Sequence, residues 1–362
     1  MTAIHERVRP ARRGIARGPL SAAVMQKLQL DDPRDARAAD GAAASRGSDD
    51  LAAIAGDALA ASDGVAIDDD IQLALFLLYA CAYGSLDWID PEWEWHPELL
   101  AVRRMIERAF ERELRRDVVV GETPPADAEA VAAALFDLTA PTPGPSLARY
   151  VAKRATLEQL REFVIQRSIY TLREADPHSW AIPRLTGRAK VALVEIQSDE
   201  YGGGRPERMH AEIFARTMRG LGLDARYGGY LDRVPAVTLA SQNAMSMFGI
   251  NRSLIGAIVG HLAAFEMTSS LPNRMYAEGV RRLGFGDDVA DYFDEHVEAD
   301  AVHEQIAARD LAGGLGEDRP ELIPDIFFGA AACLMLDDRA ADHIRGAFEA
   351  GESSLRPEGD DV

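Results

Sequence analysis

From about Asp68 to Ala350 the apolar residues recur three and four apart and almost nowhere alternate. A repeat near 3.6 buries one stripe of a helix, whereas a half-buried strand needs a repeat of two. Leu99, Leu100, Val102, Met105, Ile106, Ala109, Phe110 and Leu114 carry the pattern, interleaved with Arg and Glu. The same spacing predicts helices over about 126–138, 147–153, 157–174, 187–221, 239–268, 273–283, 287–311 and 323–350. Asp68-Asp69-Asp70 precede an apolar run, where the positive end of a helix favours acids. No repeat of solenoid length interrupts this text. The expected fold class is all-α, a single helical bundle over residues 66–350.

Residues 1–65 read differently. They are rich in Ala, Arg, Asp and Gly and almost free of aromatics. Such a segment buries too little apolar surface to offset its ordering entropy, so a disordered leader is expected, with one short helix near Leu20–Leu30. The tail 351–362, with Pro357, Gly359 and two final aspartates, is expected to be disordered too.

Charge narrows the partners. With 59 acidic against 39 basic residues, the formal net charge is −20. That surface repels phosphate backbones and anionic headgroups, so nucleic acid and membrane are poor partners. The most apolar run, Ile71–Tyr83, falls short of the roughly 20 residues that span a bilayer. No apolar block follows the first arginines, so no secretory signal is read. The two cysteines, Cys81 and Cys333, sit in apolar stretches and are expected as buried free thiols. A cytoplasmic location follows as the expectation, and a homodimer is the base-rate assembly.

The chemistry concentrates between Glu200 and His303. In Glu207-Arg208-Met209-His210 an acid and an imidazole three apart share one helix face, the spacing that lets both reach one metal ion. Glu200 precedes Glu207 by seven, within roughly 20° of the same azimuth if the helix is continuous. Gly202-Gly203-Gly204 put that continuity in question, and the alternative is a break with Pro206 opening a new helix. Further on, His296, Asp300 and His303 form a stripe at i, i+4 and i+7 in a chain with 8 histidines. Glu266 is the one acid in the apolar stretch Ile258–Met267, where an ionised side chain is costly unless paired or metal-bound. His261 points about 140° away from it and reads as a core or interface histidine. Four carboxylates and three imidazoles on three helices suit a pair of iron ions, with manganese as the alternative, because carboxylates bridge and imidazoles cap. Each motif taken alone has a bland reading. Glu-xx-His is commonly a surface pair, and Glu266 could pair with an arginine such as Arg274.

At these residues the chain resembles the haem-oxygenase-like diiron oxidases and oxygenases, the iron-containing redox enzymes. The resemblance rests on Glu195–Gly204 running into Glu207-xx-His210, then Glu266, then His296-xxx-Asp300-xx-His303. Upstream, the stretches Tyr170–Leu185 and Trp93–Leu100 resemble bacterial members that carry an additional amino-terminal helical part. The resemblance implies a haem-oxygenase-like helical bundle without haem. It divides the chain into an amino-terminal part (66–155) and a metal-binding core (156–350). It also implies the metal ligands Glu200, Glu207, His210, Glu266, His296, Asp300 and His303. Glu174 is a weaker ligand candidate, because some members recruit a further carboxylate. His178 and Trp180 are weak candidates for lining a substrate cavity.

The implied reaction is O2-dependent oxidation of a small molecule, an amino acid, amine or fatty acid, by desaturation, carbon–carbon cleavage or N-oxygenation. A reductase or other electron donor would be its partner. Two other readings compete: a metal-free enzyme on the same fold (a cofactorless oxidase or thiaminase-like hydrolase), and a metal-binding protein without catalysis. Arg274, Arg281 and Arg282 lie near Glu266 in sequence and are candidate anchors for a substrate carboxylate, or else a solvated face.

Overall fold

The computed structural model describes residues 15–30, 50–141 and 143–357, apart from the side chains of Leu30, Glu298, Asp300 and Ala301. Every regular element among the described residues is helical. An amino-terminal layer comprises α1 (Pro19–Leu30), α2 (Leu51–Ala61), α3 (Asp69–Tyr83) and α4 (Pro97–Asp117). Asp68 caps α3 by accepting from the Asp70 and Ile71 amides, and Gly84 ends it in the left-handed region at φ 59°. Helix α3 is buried from Ile71 to Cys81, which accounts for the unbroken apolar run. Helix α4 buries Leu99, Val102, Ile106, Phe110 and Leu114, as its spacing predicts.

The remainder of the chain builds the core. Its helices are α5 (Ala128–Leu138), α6 (Leu147–Lys153), α7 (Leu157–Thr171), α8 (Gly187–Glu200), α9 (His210–Gly220), α10 (Ala236–Ile250), α11 (Ile255–Arg282), α12 (Asp287–Gln305) and α13 (Ile323–Ala350). A π-helical stretch, Ile306–Gly313, continues directly from α12. Helix α11 is the axis and packs on α6, α12 and α13. A Cβ at Gly260 would overlap the Ile326 carbonyl, and one at Gly329 would overlap the Ala257 carbonyl. Only glycine lets α11 and α13 cross with their backbones in contact. The segment Arg252–Arg282 is long and apolar enough to cross a membrane, but 67% of its most apolar window is buried by neighbouring helices. Core burial explains its apolarity.

Several boundaries differ from those expected. The short helix expected near Leu20–Leu30 forms as α1 and buries Leu20, Val24 and Leu28, whereas α2, which was not expected, buries Leu51 and Ala55. Asp70 holds α1 by accepting from the Leu20 and Ser21 amides, a long-range contact invisible in local composition. Residues 1–14 and 31–49 lie outside the described part. The tail is likewise ordered to Pro357. Ser354 is buried, donates to Glu162 and accepts from Gln166, while Arg356 pairs with Asp69. Residues 358–362 fall outside the described part. The pattern 187–221 is two helices, and the pattern 239–268 breaks at Asn251. Pro272 does not end α11, although it removes the helical bond to the Thr268 carbonyl and crowds that turn. Helix α6 packs on α11, so residues before 155 already belong to the core.

Two apolar clusters result. The larger joins the amino-terminal layer to α8, α10, the first half of α11 and the π-helical stretch. The smaller joins α6, α7 and α9 to the second half of α11 and the first turns of α12. Helix α11, and α12 together with its π-helical continuation, therefore each pass from one cluster to the other. Where they cross the seam they turn polar: Glu266 and Asn273 on α11, His296 and His303 on α12, all buried.

Candidate metal centre

Four polypeptide segments meet at this seam. Helix α8 ends at Glu200. Gly202 follows at φ 74°, and a Cβ there would lie 2.6 Å from the Arg208 carbonyl carbon. The chain can therefore fold back on itself only with glycine at this position. This tight return brings His210, the first residue of α9, beside Glu200, with Nδ1 2.9 Å from the Glu200 Oε2. Glu207 is not part of the meeting. It is exposed on the short turn Pro206–Arg208, where its carbonyl accepts from Arg216. The azimuth that would align it with Glu200 requires an unbroken helix, and the glycines and Pro206 break it.

Glu174 takes the place left for an additional carboxylate. It sits just beyond α7, is buried, and accepts from the Tyr292 hydroxyl at 2.8 Å. Its Oε1 lies 3.5 Å from His296 Nε2. One side-chain atom from each of Glu174, Glu200, His210 and His296 lies within 4.8 Å of the others. Glu200, Glu266 and His303 form a second group by the same measure, so Glu200 belongs to both. His303 Nδ1 is 3.5 Å from Glu266 and 3.8 Å from Glu200.

Second partners hold the imidazoles in a particular tautomer. His296 Nδ1 lies 2.7 Å from the Tyr292 carbonyl, which can only accept, so this nitrogen is the protonated one. That leaves the Nε2 lone pair facing Glu174. His303 Nε2 contacts Asp199 at 3.2 Å, which leaves its Nδ1 toward Glu200 and Glu266. Glu174 Oε2 is buried without a hydrogen-bond partner, and His210 Nδ1 and His303 Nδ1 meet Glu200 and Glu266 in close contacts that lack the angle of a hydrogen bond. Buried polar atoms rarely remain unsatisfied. Buried carboxylate and imidazole atoms that converge in this way fit cations, and an outer contact of the kind that fixes His296 and His303 is what metal ligands characteristically have.

The electrostatics agree. Burial raises the pKa of Glu266, and the neighbouring Glu200 adds to it against the pull of His303. Burial also works to raise Glu174, but His296 and His210 outweigh it and hold this carboxyl below its ordinary range. Burial lowers His303, and Glu266, Asp199 and Glu200 together overcome that and lift it to about 9. Burial likewise opposes protonation of His210, and Glu200 reverses the sign. In the absence of a cation, protons on the imidazoles compensate the carboxylates.

Of the expected ligands, Glu200, His210, Glu266, His296 and His303 come together, Glu174 joins them and Glu207 does not. Asp300 lies on α12 between the two histidines, with its side chain outside the described part. His178 is buried beside the groups, 3.3 Å from His261, and lines an inner cavity with Glu174, Gln197 and Glu266. Trp180 does not line that cavity. It borders an open outer cleft with Tyr83, Asp176 and Tyr201. Arg281 pairs with Asp287 and Asp294, Arg282 donates to three carbonyls, and Arg274 is exposed, so none of the three anchors anything at the site. Tyr292 and Asp199 escaped the sequence reading. Tyr292 stands one turn before His296, a spacing that could have suggested it.

Residues 161–338 match the sequence profile of the iron-containing redox enzymes, a span that contains both groups. The chain belongs to this family. As an iron-containing redox enzyme it has helices α1 to α6 before the matched span. It is also 29% identical over 171 residues to a nitrosourea synthase of Streptomyces achromogenes subsp. streptozoticus. That stretch is 47% of this chain and 36% of the relative, so the chain matches about a third of that protein's length. Both cysteines are buried and free, as expected, and burial pushes Cys81 up to about 12.

Proposed function

We propose that this iron-containing redox enzyme is a non-haem diiron oxidase or oxygenase that uses O2 to oxidise a small molecule. The observation that carries the reading is Glu200, one buried carboxylate shared by two groups of ligand-type atoms. Glu174, His210 and His296 would complete the first position, and Glu266 and His303 the second. Asp300 is proposed for the second on its i−3 spacing from His303. Two such ions, when bound, supply the redox equivalents for dioxygen chemistry.

The chain's own part is positional. Tyr292 orients Glu174 through its hydroxyl and His296 through its carbonyl, and Asp199 orients His303. The two apolar clusters on either side exclude bulk water, which strengthens every charge interaction in the seam. Metal loading must displace the protons that the imidazoles hold, so iron affinity should fall as pH falls. Oxidation at nitrogen is the favoured outcome among those the fold supports, from the likeness to a nitrosourea synthase. A cytoplasmic setting, an external electron donor and a homodimer complete the proposal.

Anaerobic titration of the chelator-treated protein with ferrous iron, followed by mixing with oxygenated buffer, tests the reading. Two ions per chain and rapid O2 consumption are expected. No iron uptake by folded protein would remove the diiron assignment and return a metal-free enzyme to first place.

A further inference from the structure

The cavity beside the metal groups carries one cation among its described lining residues, Arg167. It lies on α7, between the rings of Phe163 (5.8 Å) and Tyr276 (6.0 Å). Its Nε has no hydrogen-bond partner, and among the described residues it forms no ion pair within 4.0 Å. Glu174 and Asp337 act on it only at longer range, and its one near polar partner is the neutral Tyr292 hydroxyl, which leaves its charge without a counter-ion in contact. Other lining groups are also unsatisfied: His178 Nδ1, Gln197 Oε1 and Asn273 Oδ1. A guanidinium enclosed in this way, with donors to spare, is a receptor for a carboxylate, whose planar pair of oxygens matches its fork.

We propose that Arg167 anchors the carboxylate of the substrate, so that the enzyme acts on a small organic acid. The enclosed space beside Arg167 is about the size of one water, so it takes only the carboxylate end of an acid. Neighbouring residues of the segment 175–179 line this cavity on one side and the open outer cleft on the other. Glu174, seven residues beyond Arg167 on the same segment, belongs to the first metal group, so an acid held by Arg167 lies beside the proposed reacting centre. The inference rests on the diiron reading for that last step alone, because carboxylate binding is measurable without it.

The full-length protein is titrated with propionate, butyrate and hexanoate, and with the alcohols and amines of the same lengths, by ligand-observed NMR. Each titration is run with ferrous iron and again with EDTA. The acids should bind at least about tenfold more tightly than the alcohols, a difference of about 1.4 kcal/mol, and the preference should survive EDTA. Arg167→Gln should abolish the preference with iron stoichiometry unchanged. Arg167→Lys, which keeps the charge but not the fork, should weaken it several-fold and decides the matter if the Gln variant fails to fold. No preference for acids in the wild type, or wild-type acid affinity in either variant, overturns the proposal. A preference that vanishes with EDTA also overturns it, because a metal rather than Arg167 would then hold the acid. Failure of iron uptake with the acid preference intact would remove the diiron reading and leave the anchor standing.

Discussion

Glu107 in the amino-terminal layer and Glu200 in the seam are both buried glutamates, and their surroundings differ in kind. Glu107 accepts from the Tyr79 hydroxyl at 3.1 Å and lies within 3.6 Å of Arg103 and Arg104. Its charge is balanced on the spot by two arginines of α4, with a hydroxyl donated from α3. Glu200 faces two imidazoles and, through the second group, another acid, with orphaned atoms between them. A buried charge is tolerated where it is paired or metal-bound. The first acid meets that condition through permanently charged arginines, and the second only through imidazoles that must take up protons or through a metal. The difference separates an acid paired with arginines from one set among ligand-type atoms that could hold a cation.

Four experiments break or sharpen that contrast. The largest effect is expected at the shared acid: Glu200→Ala should lower ferrous affinity by roughly 100-fold or more, beyond the 10–100-fold typical of residues that only orient ligands. Equilibrium dialysis against iron measures this, and retained stoichiometry would erase the contrast. Glu107→Ala should instead cost about 2 kcal/mol of stability in urea unfolding, mainly from the stranded Tyr79 hydroxyl, and leave iron binding per folded molecule intact.

Acid sensitivity comes next. Burial holds His261 at about 3, against an ordinary value of 6.5. Its folded pKa is depressed, so the unfolded chain takes up the proton first. The stabilising contribution is complete above about 6.5 and is lost as pH falls toward 3, at about 1.4 kcal/mol per pH unit. His178, lowered in the same direction by burial and by His261, adds to the slope. Urea midpoints at pH 7.5 and 5 should therefore differ less in His261→Phe than in the wild type. An equal difference would mean that the imidazole does not carry the effect. Smallest of all, Glu207→Ala should leave iron stoichiometry unchanged and stability within about 0.5 kcal/mol. Loss of one ion in that variant would reinstate the sequence expectation against the geometry.

The helical fold was legible because 3.6-residue periodicity is a local property, and α4 shows it residue by residue. Glu266, His296 and His303 were legible for a related reason: an acid in an apolar helix and a histidine stripe signal a buried polar seam without any partner being known. Glu207 misled because the argument for it assumed a continuous helix through Gly202-Gly203-Gly204 and Pro206. The leader, of which only the helix α1 was expected, and the ordered tail misled in the opposite direction. Their local composition is poor, and what holds them is Asp70 for the one and Glu162, Gln166 and Asp69 for the other, all distant in sequence.

By itself the sequence determined that the chain is helical, that both cysteines are buried, and that imidazoles and carboxylates are set where helix faces meet the core. Those outcomes follow from spacing and hydropathy, which act over a few residues. Only the tertiary structure decided which carboxylates converge, because convergence depends on where helices end and how closely their backbones cross. It exchanged Glu207 for Glu174, and it put Arg167 in the cavity rather than the arginines nearest Glu266. In each case the deciding contact joins atoms far apart in the chain, and no local pattern encodes a distance through space.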